Sequence, residues 1–406
     1  MDEAVLRRPG TPADAVDGVV PGEVLEPVTP EALAEVLADA SGRRLATVIR
    51  GGGSKLTWGR IPERIDLVLS TARLGDTLIH RDGDLTATVS AGVRLADLNT
   101  HLAGKGQWLP VESAFDATTI GGLIATNDAG PLRHRFGTPR DLLLGVTLAL
   151  TDGRLVKSGG VVVKNVAGYD LGRFLSGSLG SLAVVVEATF KLVPTLQSSA
   201  TLRVACPRIR DVEQARRVLG ASQLEPVAAD LHVDQREGLV TYQMFVRFAS
   251  SPGATEAQAE LLAQLLPVSS RVSGLEEAQV WRDQVQAAWE HPGATVRCSW
   301  HPARVADVLQ VLDECRSCCP TVVLVGRAAV GTGLLHFGGE IPGQAAAIDK
   351  LRRSDALDHV VVLSASRELK AGVDVWGPPV PWAAPLAALK RSFDPAGILG
   401  AGRGPL

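Results

Sequence analysis

Arg50 and Lys55 bracket three consecutive glycines, Gly51, Gly52 and Gly53, and a serine, Ser54, in VIRGGGSKLTWG, residues 48–59. A glycine run gives up side chains so that another group can approach the backbone, and converging peptide N–H groups beside two cations suit an anion. The same stretch also reads as a flexible surface turn, and alone it does not separate the two. It fits neither common phosphate-binding pattern. A dinucleotide-binding G-x-G-x-x-G would need glycine where Leu56 stands and a helix straight after, whereas Pro62 and a strand-like run follow. A Walker A loop would end in G-K-[ST], and this chain has Gly53-Ser54-Lys55.

Three further small-residue segments stand in the chain. DATTIGGLIATNDAGPLRHRFGTPRD, residues 116–141, holds Thr119, Gly121, Gly122, Asn127, Gly130 and Gly137. VVVKNVAGYDLGRFLSGSLGSLAVVVEA, residues 161–188, holds Gly177, Ser178, Gly180 and Val185, and FDPAGILGAGRGPL forms the C-terminal tail. Such a set suits a flat aromatic ligand with a pyrophosphate: backbone amides reach the phosphates and small residues leave room for rings.

The cysteines point elsewhere. Cys315, Cys318 and Cys319 in DECRSCCP resemble a metal cluster at first sight. Yet Val305, Val308, Leu309, Leu312 and Cys315 recur at helical spacing before Pro320, which marks core or helix-end thiols and no metal site. Five cysteines, with Cys206 and Cys298, are an odd number for a disulfide framework.

The elements that position these loops follow from patterning. At 406 residues, 46% hydrophobic and 21% charged, the chain is long enough for two globular domains. A formal net charge of -3 gives no general attraction to nucleic acid. No apolar run approaches the ~20 residues that span a bilayer. Residues 1–19 carry Arg7 and Arg8 with no apolar stretch behind them, so they read as a mobile tail and not an export signal, and a cytoplasmic location is expected. VLEPVTPEALAEVLADASGRRLATVIR reads strand, helix, strand, with Thr29 as N-cap, Pro30 in the first turn and Gly42 at the C-terminal cap. A strand at LTATVSAG, a helix at RLADLNTHLAGKG and an Asp152-Gly153 hairpin complete small α+β units to about residue 195. Beyond PTLQSSA, two β-α-β-β runs predict an antiparallel sheet covered by helices on one face.

Together, RGGGS, TTIGG…N…G…FG, KNVAGYDLGRFLSGSLG and FDPAGIL…GR resemble the FAD-binding domain of the vanillyl-alcohol oxidase and p-cresol methylhydroxylase (PCMH) type. Within it the third segment is similar to the glycolate oxidase group, closest to its FAD-binding second subunit. The resemblance implies an α+β fold: a two-lobed FAD domain over 20–195, an α+β cap with an antiparallel sheet over 196–383, and a segment 384–406 returning to the FAD domain. It implies FAD held noncovalently, since RGGGSK has no histidine to tether a flavin; His101 sits in a helical pattern, and His134 is the remaining candidate. Arg50 to Lys55 would hold the pyrophosphate. Thr119, Gly121, Gly122 and Asn127 would line the flavin, and Gly130 and Gly137 would allow turns around it. Gly177, Ser178, Gly180 and Val185 would meet the adenine or ribitol side, and Lys164, Asn165 and Tyr169 the isoalloxazine or second lobe. A packing or turn role is open for each.

Oxidising a 2-hydroxy acid also needs an arginine for the carboxylate and a base for the hydroxyl proton. Catalytic relatives carry an H-x-G-D-G-N-x-H motif and a later E-H-G, which can bind a divalent metal. The comparable stretch here, AAVGTGLLHFGGEIP, keeps only His336, which on an apolar strand reads as a core residue. Arg327 and Arg367 could bind an acid, though ion-pair or surface roles fit them better. The departure leaves catalytic residues unassigned and three readings: an FAD-binding subunit of a glycolate-oxidase-like complex, with a catalytic FAD subunit and an iron–sulfur subunit as partners and membrane association only through them; a self-sufficient FAD-dependent glycolate or D-lactate dehydrogenase; or a scaffold that has lost its cofactor. The intact glycine loops argue against the scaffold, and the missing histidines favour the first reading.

Overall fold

A computed structural model of the chain describes residues 4–75, 77–161, 169–236 and 238–405. The chain divides into two compact units. One comprises the described residues of Met1–Ala129, Gly137–Thr195 and Pro378–Leu406, the other Gly130–Phe136 and those of Leu196–Gly377. Residues 130–136 and 378–383 therefore group differently from the boundaries expected from sequence.

The first unit contains two main sheets. Strands β1 (Val5–Pro9), β2 (Glu23–Pro27), β3 (Thr47–Arg50) and β4 (Leu67–Ser70) form one, in the order β1-β2-β4-β3. β4 runs parallel to both β2 and β3, while β1 is antiparallel to β2. The helix Pro30–Gly42 starts where Thr29 Oγ1 accepts from Ala32 N at 3.1 Å. Its Leu33 and Leu37 are fully buried in one core with Leu67, Leu69, Val184 and Val186. Each such side chain contributes about 1.5–3 kcal/mol by burial.

The second sheet has the order β5-β6-β10-β8-β9, from β5 (Leu78–Arg81), β6 (Thr86–Ser90), β8 (Leu143–Ala149), β9 (Leu155–Gly159) and β10 (Val184–Lys191). A small pair, β7 (Gln107–Trp108) and β11 (Val193–Pro194), flanks it. Leu98 and Leu102 of the helix Leu95–Ala103, and Ile120, Leu123 and Ile124 of the helix Ile120–Thr126, pack with Phe190 of β10.

The expected mobile tail is a correction. Residues from Val5 on are part of the fold: β1 pairs with β2 over five residues. Val16 is fully buried, and Asp14, 4% exposed, receives Arg8 and Arg50 at 2.6 and 2.7 Å. Short polar edge strands carry little hydrophobic patterning, which is why VLRRP reads as a tail.

The second unit is one antiparallel eight-stranded sheet: β12 (Ser198–Ala205), β13 (Ala228–Arg236), β14 (Leu239–Ser250), β15 (Val268–Val272), β16 (Ala294–Ser299), β17 (Thr321–Arg327), β18 (Thr332–Gly338) and β19 (His359–Ser364). The spatial order is β15-β12-β14-β13-β17-β18-β16-β19. Helices Ile209–Ala221, Pro252–Leu265, Val305–Cys315 and Ile341–Arg353 bury their apolar stripes with Leu202, Leu231, Val246 and Phe337. The helix Gly274–Gln286 packs Trp281 against Ala228 and Phe245, which alternate with those residues and so lie on the opposite face. Helices thus lie on both faces of this sheet, not on one. Among the described residues no helix is long and apolar enough to cross a membrane.

Candidate functional site

Strand β3 ends at Arg50 and delivers Gly51–Lys55 beside the loop 116–119. The glycines are forced first by that neighbour. A Cβ on Gly52 would lie 1.6 Å from Ala117 O, and one on Gly51 would lie 2.2 Å from Thr119 Oγ1. Gly53 differs: its φ is +79°, and nothing stands closer than 3.9 Å to its missing Cβ, so here glycine supplies conformation. The peptide N–H groups of Gly51, Gly52, Gly53 and Ser54 donate to no acceptor among the described residues. Unpaired donors in a row are uncommon in a folded chain and mark a place that expects an acceptor.

Lys55 lies beside them, 9% exposed. Its Nζ stands 2.9 Å from Asp128 Oδ2 and 3.4 Å from both Ser113 Oγ and Thr118 Oγ1, over the rings of Trp58 and Phe115. Gly51–Leu56, Thr118, Thr119, Gly122, Ala125, Thr126, Leu179 and Arg403 line a partly open cavity. A second space shares Ile49, Gly51, Gly122, Ala125 and Leu179 with it and adds Gly121, Ser178, Gly180 and Val185. Thr119 caps the helix Ile120–Thr126, accepting from Gly122 N at 3.3 Å. Gly180 has a φ of +71° and closes the third loop against Ile49.

The structure thus brings Gly51 to Lys55, Thr119, Gly121, Gly122, Ser178, Gly180 and Val185 around one space. The other expected site residues are placed elsewhere. Arg50 is taken up by Asp14 at 2.7 Å and Glu26 at 3.5 Å and does not line the cavity. Asn127, at φ +45°, is the left-handed C-cap of its helix, and its Oδ1 accepts from Arg140 N. Gly137, at φ +80°, turns against Asp141, and Gly177, at φ +87°, donates to Ile124 O. Gly130 falls in the second unit. Tyr169 is 91% exposed, while Lys164 and Asn165 lie outside the described residues. Sequence reasoning missed Ser113, Thr118, Asp128 and Arg403. Thr118, the first residue of the TTIGG motif, and Arg403, the arginine of the tail motif, carried a signal.

In the second unit, His336 on β18 has no exposed surface, and burial, with help from His291 and Arg236, pushes its pKa down to about 4. Neither ring nitrogen has a hydrogen-bond partner among the described residues. Asp230 on β13 faces Arg327, its register partner on β17, at 3.9 Å. Both are buried, and desolvation raises the Asp230 pKa to about 6 against the pull of Arg327. Arg327 is therefore an ion-pair residue, and Arg367 begins the short helix Arg367–Gly372. Cys315 and Cys319 are fully buried in the helical core, with thiols pushed up to about 12, and Cys318 packs against it. His134 lies in the helix Arg133–Phe136 of the second unit, its pKa lowered by burial and then by Arg135.

The donor set of the first unit fits a ligand that joins a pyrophosphate to flat rings. The FAD binding domain family matches residues 21–159. The glycolate oxidase subunit GlcE of Escherichia coli is 30% identical over 282 residues, 66% of this chain and 73% of that one. The glycolate oxidase subunit GlcD of Bacillus subtilis is 33% identical over 222 residues, 54% of this chain, and the match spans only 47% of that subunit's length. Among solved structures, alkyldihydroxyacetonephosphate synthase superposes with a TM-score of 0.70 at 16% identity, over 94% of this chain and 76% of that one, a likeness of fold. The chain carries an FAD-binding domain, and it belongs to the family of FAD-linked oxidoreductases that contains these glycolate oxidase subunits.

Proposed function

We propose that this chain is the FAD-holding subunit of a 2-hydroxy-acid dehydrogenase complex of the glycolate oxidase kind, binding FAD noncovalently and supporting electron transfer. The N–H groups of residues 51–54 would take the pyrophosphate, and Thr119, Gly121, Gly122, Ser178, Gly180 and Val185 would run along the remainder. When bound, the flavin supplies redox chemistry at the α-carbon of a hydroxy acid or relays electrons. A catalytic FAD subunit and an iron–sulfur subunit are the partners this reading calls for.

One asymmetry carries the reading. The cradle in the first unit has its donors bare, while His336, the histidine left in the cap motif, is sealed within the sheet of the second. Bare donors also weigh against a scaffold that has lost its cofactor, since selection for packing alone would not keep them unpaired. The self-sufficient dehydrogenase remains as a second reading on one observation. Asp230 beside Arg327 pairs a carboxyl with a guanidinium, the two group types that oxidation of a hydroxy acid needs, but both are as buried as His336, so this reading requires the second unit to open to substrate.

The test is anaerobic stopped-flow spectroscopy of the isolated, FAD-loaded protein with glycolate and D-lactate, joined to a pull-down from native cells. Negligible flavin bleaching and capture of a second flavoprotein are expected. Bleaching at turnover-like rates by either acid with no partner present would promote the second reading. Acid precipitation should leave all flavin in the supernatant; flavin retained on the polypeptide would overturn noncovalent binding and direct attention to His134.

A further inference from the structure

The second sheet of the first unit carries a cleft that shares no lining residue with the cavity proposed for FAD. Strand alternation creates it. Ala87 of β6, Val146 of β8 and Ala188 of β10 turn their side chains into the core that the helices cover. Thr88, Thr147, Glu187 and Thr189 alternate with them and face the other way. There they line an open cleft of about 290 Å³, together with Arg81 of β5 and Lys157 of β9. The register sets Thr88, Thr189, Gly145 and Gly159 in one row across β6, β10, β8 and β9. Two hydroxyls are thus followed by two positions with no side chain, which leaves room above the sheet.

The polar groups of the cleft say what it expects. Arg81 Nη1 is buried and has no hydrogen-bond partner, and its guanidinium makes no ion pair among the described residues. Lys157, on the opposite edge strand, also makes neither among the described residues. Glu187 accepts from Thr147 Oγ1 at 3.4 Å, and the Thr88 and Thr189 hydroxyls share one hydrogen bond at 2.9 Å. Two cations against one carboxylate give the walls a positive balance, and a buried guanidinium nitrogen without an acceptor suits an anion. Phosphate is a poor match. The interior strands β6, β10 and β8 are paired on both sides, so the floor offers side-chain donors and no cradle of peptide N–H groups. A dianion would also be repelled by Glu187, whereas a hydroxyl can donate to it. The volume lies just under the roughly 300 Å³ at which small-molecule sites begin, so the guest is compact.

We propose that this cleft binds a small hydroxylated monocarboxylic acid. Arg81 takes the carboxylate, Glu187, Thr88 and Thr189 take hydroxyls, and Lys157 adds attraction from the opposite edge of the sheet. The site goes beyond the FAD reading above and does not depend on it.

The test is titration calorimetry of the full chain with gluconate, with and without FAD and at low and high salt. The comparison probes are hexanoate, which has the same length and no hydroxyls, sorbitol, which has hydroxyls and no acid, inorganic phosphate and a polyglutamate peptide. Gluconate should bind more tightly than any of these, and equally well with FAD present. Arg81→Met should weaken it roughly tenfold or more through the lost charge-assisted bonds. Glu187→Gln should narrow the preference for gluconate over hexanoate. Lys157→Met should bind gluconate more weakly and with less salt dependence, and it carries the test if Arg81→Met fails to fold. Absence of gluconate binding, folded Arg81→Met within about threefold of wild type, or an unchanged salt dependence in Lys157→Met would overturn the proposal. So would hexanoate, sorbitol or phosphate matching gluconate. Tighter binding of the peptide would make the cleft a protein-docking surface, and gluconate displaced by FAD would place the acid in the cradle of residues 51–54; each overturns it as well.

Discussion

Lys55 Nζ and Asp128 Oδ2 stand 2.9 Å apart with side chains only 6% and 13% exposed, so the cavity proposed to hold FAD carries a lysine whose counter-ion is built in. Breaking a nearly buried pair from one side strands the other charge and costs about 3–5 kcal/mol. Lys55→Met should therefore lower both stability and FAD affinity. Lys55→Met combined with Asp128→Asn should recover much of the stability and none of the affinity. Urea melts and FAD titrations of the two variants check this; restored FAD binding in the double variant would show that Lys55 serves only the pair.

Gly52 and Gly53 should respond differently to the same methyl group. At Gly52 it meets the Ala117 carbonyl, so Gly52→Ala should pry the first two loops apart and abolish tight FAD binding. At Gly53 there is room and only a left-handed backbone to strain, which costs about 1–2 kcal/mol. Gly53→Ala should stay folded and bind FAD with moderately reduced affinity. Indistinguishable behaviour of the two variants in thermal melts and titrations would contradict the loop packing described.

Asp14 should matter well beyond its place in the chain. It binds Arg8 and Arg50 together and is held far below the usual carboxylate range, first by the Arg8 hydrogen bond. Its contribution is present above the ordinary carboxyl pKa near 4 and is lost only as pH falls below that, so mild acid leaves it intact. Asp14→Ala should cost about 2–3 kcal/mol through lost charge-assisted bonds. Chemical denaturation at pH 7 reads this directly, and a change below half a kcal/mol would return residues 1–19 to the status of a tail.

His336 should make the second unit sensitive to moderate acid. Its folded pKa is about 4, below the ordinary value near 6.5, so as pH falls between those values the unfolded chain takes up a proton that the folded one refuses. Stability is lost through that window, on the order of 3 kcal/mol by pH 4. Asp230 acts in the opposite sense. Raised to about 6, it holds a proton that the unfolded chain releases, so its burden eases as pH falls from 6 toward 4. His336→Leu should leave the Asp230 trend exposed, with stability relative to wild type growing from pH 7 to pH 4.5. Parallel pH profiles for the two proteins would mean the imidazole does not resist protonation.

The helices and interior strands were legible because burial imposes a period. Thr29 and Pro30 announce the start of the helix Pro30–Gly42, though its end is made by Arg44 at φ +54° and not by Gly42. Val305, Val308, Leu309, Leu312 and Cys315 line up as their spacing predicts. What stayed hidden has a common cause. The strands β1 and β15 are short, polar and at sheet edges, where one face carries no hydrophobic requirement. The residues that were missed act through partners distant in sequence: Asp14 takes Arg50 away from the cavity from 36 positions away, and among the site residues Thr118 faces Lys55 from 63 and Arg403 reaches Leu56 from 347. Local sequence named the glycines well, yet it could not tell the ones that face a cavity from Asn127 and Gly137, which turn the chain.

The three-part composition of the first unit has a consequence for synthesis. Residues up to 195 leave the ribosome long before Pro378–Leu406, while Leu196–Gly377, a single unbroken stretch apart from Gly130–Phe136, is already complete. Units fold as they emerge, so the interposed sheet can form while its host still lacks Lys390, Asp394 and Arg403. The nascent first unit then waits with its turn at 56–60 unbraced and the loop near Ser181 untied. If the proposed cradle holds FAD, flavin capture would be a late event in biogenesis, and translation pauses near codon 377 would lengthen the interval in which a chaperone can hold the half-built domain.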